Sequence, residues 1–167
     1  MKKKIWATLN NVQFKGYCLD LLIDKFQKID RNINIYLAIA SSGSIAAWAI
    51  WDQFPMVWGI IIASTQVITV VKPYIPYFKY VKELKGKLLK IENLNIELER
   101  LWYYYTNKKI SDEEIEARYF ELKKEITEVL NFQDDTILTV TDEIEEKANN
   151  KMRIFLKTNY NLEIQIT

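Results

Sequence analysis

Hydrophobic positions fall into two regimes along this chain, one continuous and one periodic. Between Ile33 and Val71 they are nearly continuous: IYLAIASSGSIAAWAIW, then DQFP, then MVWGIIIASTQVITVV, with Asp52 at the midpoint as the one charged residue. Each half is close to the ~20 apolar residues a helix needs to cross a hydrocarbon core. The pattern therefore predicts a two-helix transmembrane hairpin over residues 33–71 with a short turn at Asp52, Gln53, Phe54 and Pro55.

Outside the hairpin the apolar positions recur at helical intervals. From Ile5 to Ile29, the residues Leu9, Val12, Leu19, Leu22, Ile23, Phe26 and Ile29 mostly stand three or four apart. Residues 1–32 thus read as an amphipathic helix, packed on its neighbours or lying at the membrane surface. No strong stop separates Asp30 from Asn34, so this helix is expected to run on into the first span. After the hairpin, Lys72-Pro73 and Pro76 interrupt the helical ladder. A long helix then follows to about Tyr105, with the seam Leu84, Leu88, Ile91, Asn95, Leu98, Trp102, Tyr105 in a 4-3 rhythm. That is a heptad pattern, compatible with a coiled coil or with a helical hairpin inside one chain.

Ser111-Asp-Glu-Glu114 is a capping box that opens a further helix. Its seam of Ile115, Tyr119, Leu122, Ile126 and Val129 runs to about Leu130, and the short connection makes it antiparallel to the helix before. A turn at Asn131–Asp135, with Asp134 or Asp135 as N-cap, should lead into a last helix, about Thr136–Leu156. Residues Leu162–Ile166 alternate like a short strand without a partner. The expected fold is an all-α integral membrane protein. Its parts are an amphipathic segment 1–32, a transmembrane hairpin 33–71, a cytoplasmic helical domain 72–158 forming a hairpin or coiled coil, and an extended tail 159–167.

Charge sharpens this picture. Residues 1–31 carry seven Lys/Arg against three Asp, and residues 72–110 carry nine against four Glu, whereas residues 111–146 hold thirteen acids and three bases. The basic segments flank the hairpin's open end, and the turn has no Lys or Arg, so both termini are expected in the cytoplasm. Trp48, Trp51, Phe54 and Trp58 crowd the other end as an aromatic belt does. The overall mean hydropathy of −0.15 and net charge of +1 average over these contrasts.

Within the spans, small residues stand four apart at Ala40/Ser44 and Gly43/Ala47, a spacing that lets membrane helices approach closely. Gln66 is an amide deep in the second span and shares a face with Gly59 and Ala63, with Thr69 nearby. In hydrocarbon it needs protein or water against it, as interhelical glue or as pore lining.

Composition excludes most chemistry. The chain has no His and a single cysteine, Cys18, so Cys/His metal sites, His-dependent triads and intrachain disulfides are all ruled out. No phosphate-binding loop or nucleophile elbow occurs, and the carboxylate pairs Asp134/Asp135 and Glu145/Glu146 lie in an acidic, solvated helical region. The basic N-terminus lacks the h-region of a cleaved signal peptide. No catalytic, metal-binding or cofactor-binding residue is assigned, and an enzyme is not expected. Two binding features remain. Basic residues beside the hairpin suit anionic membrane lipid. Trp102, Tyr103, Tyr104 and Tyr105 with Lys108 and Lys109 combine aromatic planes with positive charge, as a nucleotide or single-stranded oligonucleotide site does, or simply form the apolar end of a helix.

An amphipathic first helix, two adjacent spans with a short outer turn, the small-residue texture of Ala38–Trp51, the rim at Arg31 and Lys72, and a long helical extension together resemble the SLATT domain over residues 5–130. That resemblance implies a bacterial inner-membrane effector of an anti-phage system that oligomerises, plausibly as a tetramer, and opens a pore. It also implies control by a nucleotide or oligonucleotide made by a nucleotidyltransferase partner. Under this reading Ser41, Ser44, Gln66 and Thr69 are the candidate pore-lining residues. The competing reading is a non-conducting membrane anchor whose seam, through Leu88 and Leu98, recruits a soluble partner.

Overall fold

A computed structural model describes residues 1–42, 55–74, 76–131 and 140–161. The described residues form five α-helices and no strand: α1 Lys2–Ser42, α2 Pro55–Val71, α3 Pro76–Thr106, α4 Asp112–Leu130 and α5 Asp142–Tyr160. The hairpin turn with Asp52, the belt residues Trp48, Trp51 and Phe54, the residue Ser44, the caps Asp134 and Asp135 and the strand-like 162–166 lie outside the described residues.

Element boundaries follow local chemistry. α1 passes through Asp30–Asn34 without a break, as the lack of a stop signal predicts. α2 ends at Val71, where Lys72-Pro73-Tyr74 tightens into a 3₁₀ turn. Pro76 then occupies the first position of α3, where its fixed φ and missing N–H cost nothing. At α4 the Ser111 hydroxyl accepts from the Glu114 N–H at 3.2 Å, which is one arm of the capping box, while the Glu114 carboxylate pairs with Arg118. The last helix differs from its expected start at Thr136. Val140 and Thr141 are non-helical, Thr141 holds the N-cap conformation, and Asp142, Glu143 and Glu145 fill the first turn. Acids there complement the positive end of the helix dipole, a stronger start signal than the apolar Ile137 that suggests an earlier one.

The chain divides into two units, Met1–Ile23 with Glu83–Thr167, and Asp24–Lys82. The first is a four-helix arrangement. On one side, α1 is antiparallel to α3: Gln13 meets Asn95, and a Cβ added at Gly16 would sit 3.4 Å from Ile91 Cγ2. It is also antiparallel to α5, through Asp20–Lys151 at 2.7 Å, Tyr17–Phe155 and Trp6–Tyr160. Against α4 it runs parallel, Thr8 bonding Tyr119 at 3.1 Å.

The buried positions of α3 are Leu84, Ile91, Leu94, Asn95, Leu98 and Leu101. The 4-3 seam is thus wider than expected, since Leu94 and Leu101 join it. This broad stripe belongs to a helix packed on several neighbours rather than to a narrow two-stranded coil. Leu98 is fully buried, so this face is used inside the chain. Asn95 finds its partner in Gln13 of the same chain.

The second unit is an antiparallel pair made by the end of α1 and α2. Tyr36 Oη and Ser64 Oγ are 2.5 Å apart, and Lys72 Nζ donates to Asn34 Oδ1 at 2.5 Å and pairs with Asp30 at 3.0 Å.

Candidate functional site

The second unit carries the feature that most constrains function. On α2 the half-buried positions are Trp58, Ile61, Ser64, Thr65 and Ile68, which lie along one face that Lys72 continues in the turn beyond. The rest of the helix is bare: Met56 is 80% exposed, Ile60 62%, Val67 61% and Val70 65%. Among the described residues, Met56–Tyr74 is the one helical stretch long and apolar enough to span a membrane. In water such a surface would be costly, at ~25 cal/mol per Å² of apolar area.

Four side-chain hydroxyls in this unit donate to backbone carbonyls about one turn earlier in the same helix. Ser41 donates to Ala38 O, Ser64 to Ile61 O, Thr65 to Ile62 O and Thr69 to Thr65 O, at 2.7–3.0 Å. Each hydroxyl is satisfied by its own helix. The Lys72 ammonium, at the end of α2, is neutralised by Asp30 and steadied by Asn34. Gln66 makes no such bond. Its side chain is exposed on the side of α2 opposite the half-buried face, with Gly59, Ala63 and Val70, and among the described residues its amide meets no partner. Nothing fills the space around Gly59, where a Cβ would meet no atom within 4 Å.

Of the four candidate pore residues, then, Gln66 and Thr69 are exposed on α2, Ser41 is exposed near the end of described α1, and Ser44 lies outside the described residues. Asp30 and Asn34 were not singled out by sequence, although an Asp and an Asn one turn apart at the start of a span, with a Lys after the next one, are a readable pairing signal.

The aromatic–basic group at the end of α3 is split by the fold. The Trp102 ring packs 4.9 Å from Trp6, Lys2 stands over it at 5.9 Å, and Trp6 in turn meets Tyr160 edge-on at 4.8 Å. Trp102 and Tyr105 pack against the core cluster of Ile5, Leu101, Ile115 and Tyr119. Tyr103 stays 49% exposed, with Lys109 Nζ 4.5 Å above its ring and donating to its hydroxyl at 2.9 Å. Tyr104 lines a 220 Å³ recess with Arg100, Arg118, Glu97 and Glu121, where the two acids offset the two bases. Lys108 is exposed, in the left-handed conformation that ends α3. The six residues therefore do not form one surface, and Tyr103 with Lys109 is the pair that remains presented to solvent.

Burial raises the Glu99 carboxyl, and burial together with the Glu99 charge raises the Tyr160 phenol. The Cys18 thiol is raised by burial first and by Glu145 second, which makes it a poor nucleophile. Among the described residues no group of three or more acidic or thiol side chains could hold a metal ion. Neither a protein-family model nor a curated protein or solved structure matches the chain.

Proposed function

We propose that this protein is a membrane protein anchored by a two-span hairpin, and that copies of it assemble into a pore. The observation that carries the reading is α2: an apolar helix with its large side chains bare, its hydroxyls bonded internally and one unpartnered amide, Gln66, on its outer side. Lipid covers Ile60 and Val67. An amide against lipid is costly, so Gln66 faces water or a second copy. Gly59 and Ala63 beside it suit close approach of a neighbouring helix. Control by a nucleotide signal and a role in anti-phage defence rest on the SLATT resemblance, with Tyr103 and Lys109 as the exposed aromatic–cation pair for a base and phosphate. The test is ion flux from vesicles reconstituted with the purified chain. Gln66→Leu should leave membrane insertion intact and lower the flux about tenfold, the factor produced by ~1.4 kcal/mol of lost stabilisation. Flux unchanged by that substitution would remove Gln66 from the path, and no flux in any nucleotide condition would remove the pore.

One observation favours the scaffold reading as a second. Leu89, Ile96 and Tyr103 follow one another at seven-residue intervals on α3, opposite its buried face, and are 61%, 55% and 49% exposed. The partner-binding role first expected of Leu98 cannot hold, since that residue is core, and this outer row takes its place. Leu89→Asp with Ile96→Asp then abolishes partner recruitment while helical content stays unchanged.

A further inference from the structure

Two recesses in the four-helix unit share Asn11, Lys15 and Leu130 and so adjoin one another alongside α1. Their volumes, 490 and 570 Å³, each lie in the ~300–1,000 Å³ range of small-molecule sites. The two halves differ in chemistry. One is lined by Phe14, Leu19, Leu22, Ile91 and Val140, with Cys18 and Glu145 among them and the shared Lys15 where it meets the other. The other is lined by Lys15 and Lys123, with Thr8, Thr127 and Asn131, and among the described residues none of its lining is acidic.

We propose that this pair of recesses binds a single-chain acyl anion, a medium- or long-chain fatty acid. Its carboxylate sits between Lys15 and Lys123, and its chain lies along Phe14, Leu22 and Ile91. Charge sets the direction: Glu145 repels the head from the apolar half, and the two ammonium groups attract it to the other. The apolar half offers no neutral hydrogen-bonding side chain beyond Asn11 at the junction, so a nucleobase would leave its polar edge unsatisfied there, whereas a methylene chain needs none. The inference stands on the four-helix unit alone and does not depend on the pore reading.

Cys18 is the only thiol in the chain and lines the apolar half, so its slow labelling as a buried thiol sets the baseline that a bound ligand lowers further. The full-length protein in phosphatidylcholine nanodiscs would be labelled with a maleimide while dodecanoate or dodecanol is titrated in. Retention of radiolabelled dodecanoate would be measured in parallel, so that the result does not depend on labelling alone. The expected result is protection of Cys18 by dodecanoate, with dodecanol needing about tenfold more, the scale of one charge-assisted contact. In Lys15→Gln with Lys123→Gln, both exposed positions, dodecanoate should weaken to the level of dodecanol. The proposal is overturned if the alcohol and the acid protect wild type equally, if the double variant retains the preference for the acid, or if no dodecanoate is retained above protein-free nanodiscs.

Discussion

The two units are built from the same kinds of side chain turned in opposite directions. In the four-helix unit Ile5, Leu9, Leu98 and Ile115 are essentially inaccessible, and basic residues and glutamates pair along the outside, as in Glu143–Lys147 and Glu114–Arg118. In the hairpin unit Met56, Ile60, Val67 and Val70 are the exposed residues, and the hydroxyls turn back onto their own helices. Burial stabilises the first by taking apolar surface out of water. No such saving exists in the second unless its surroundings are themselves apolar. The contrast is one of direction: one region encloses its apolar side chains and the other leaves those of α2 exposed, which supports the proposed lipid setting.

The largest expected effect breaks the four-helix side. Leu98→Asp puts an unpaired carboxylate at a position with no solvent access and should cost more than ~4 kcal/mol, enough to abolish cooperative thermal unfolding of the helical signal. The same substitution at Ile60, which is 62% exposed, should leave helical content unchanged in detergent. It should instead cost ~2.5–3.5 kcal/mol of membrane insertion, read as release of the chain into the soluble fraction on alkaline extraction. Release by Leu98→Asp with retention of Ile60→Asp would invert the comparison. A smaller effect sharpens it. Because burial holds the Glu99 pKa above its unfolded value, the folded state binds the proton more tightly. Stability conferred by that proton is present below the ordinary Glu range, near pH 4, and is lost as pH rises through the raised value. Glu99→Gln should therefore match wild type at low pH and exceed it at about pH 7, by a few degrees of melting temperature at most. A difference that is constant with pH would contradict the assignment.

Much of this was readable from residue order. The Pro73 and Pro76 break, the Ser111 cap and the buried alternation of Ile115, Tyr119 and Ile126 follow from local rules, because neighbours in the chain decide them. Leu94 and Leu101 were not legible as core, since a two-residue-wide seam becomes a broad stripe only when α1 and α4 are both in place. The division of the Trp102–Lys109 group has the same origin. Trp6, far away in sequence and backed by Tyr160, claims Trp102 and leaves Tyr103 outside. The start of α5 was misplaced because apolar periodicity at Ile137 and Val140 outweighed the acidic first turn at Asp142, and the dipole argument deserved the greater weight.

The most direct measurement of the central claim is cysteine accessibility along α2. In a Cys18→Ser background, Ile60, Gln66 and Val67 are each replaced by Cys in native membranes and exposed to a charged, membrane-impermeant thiol reagent. The account predicts labelling at residue 66 and protection at residues 60 and 67. Equal and rapid labelling of all three would mean that α2 lies in water, and protection of all three would mean a hairpin in lipid with no aqueous path; either result contradicts the account.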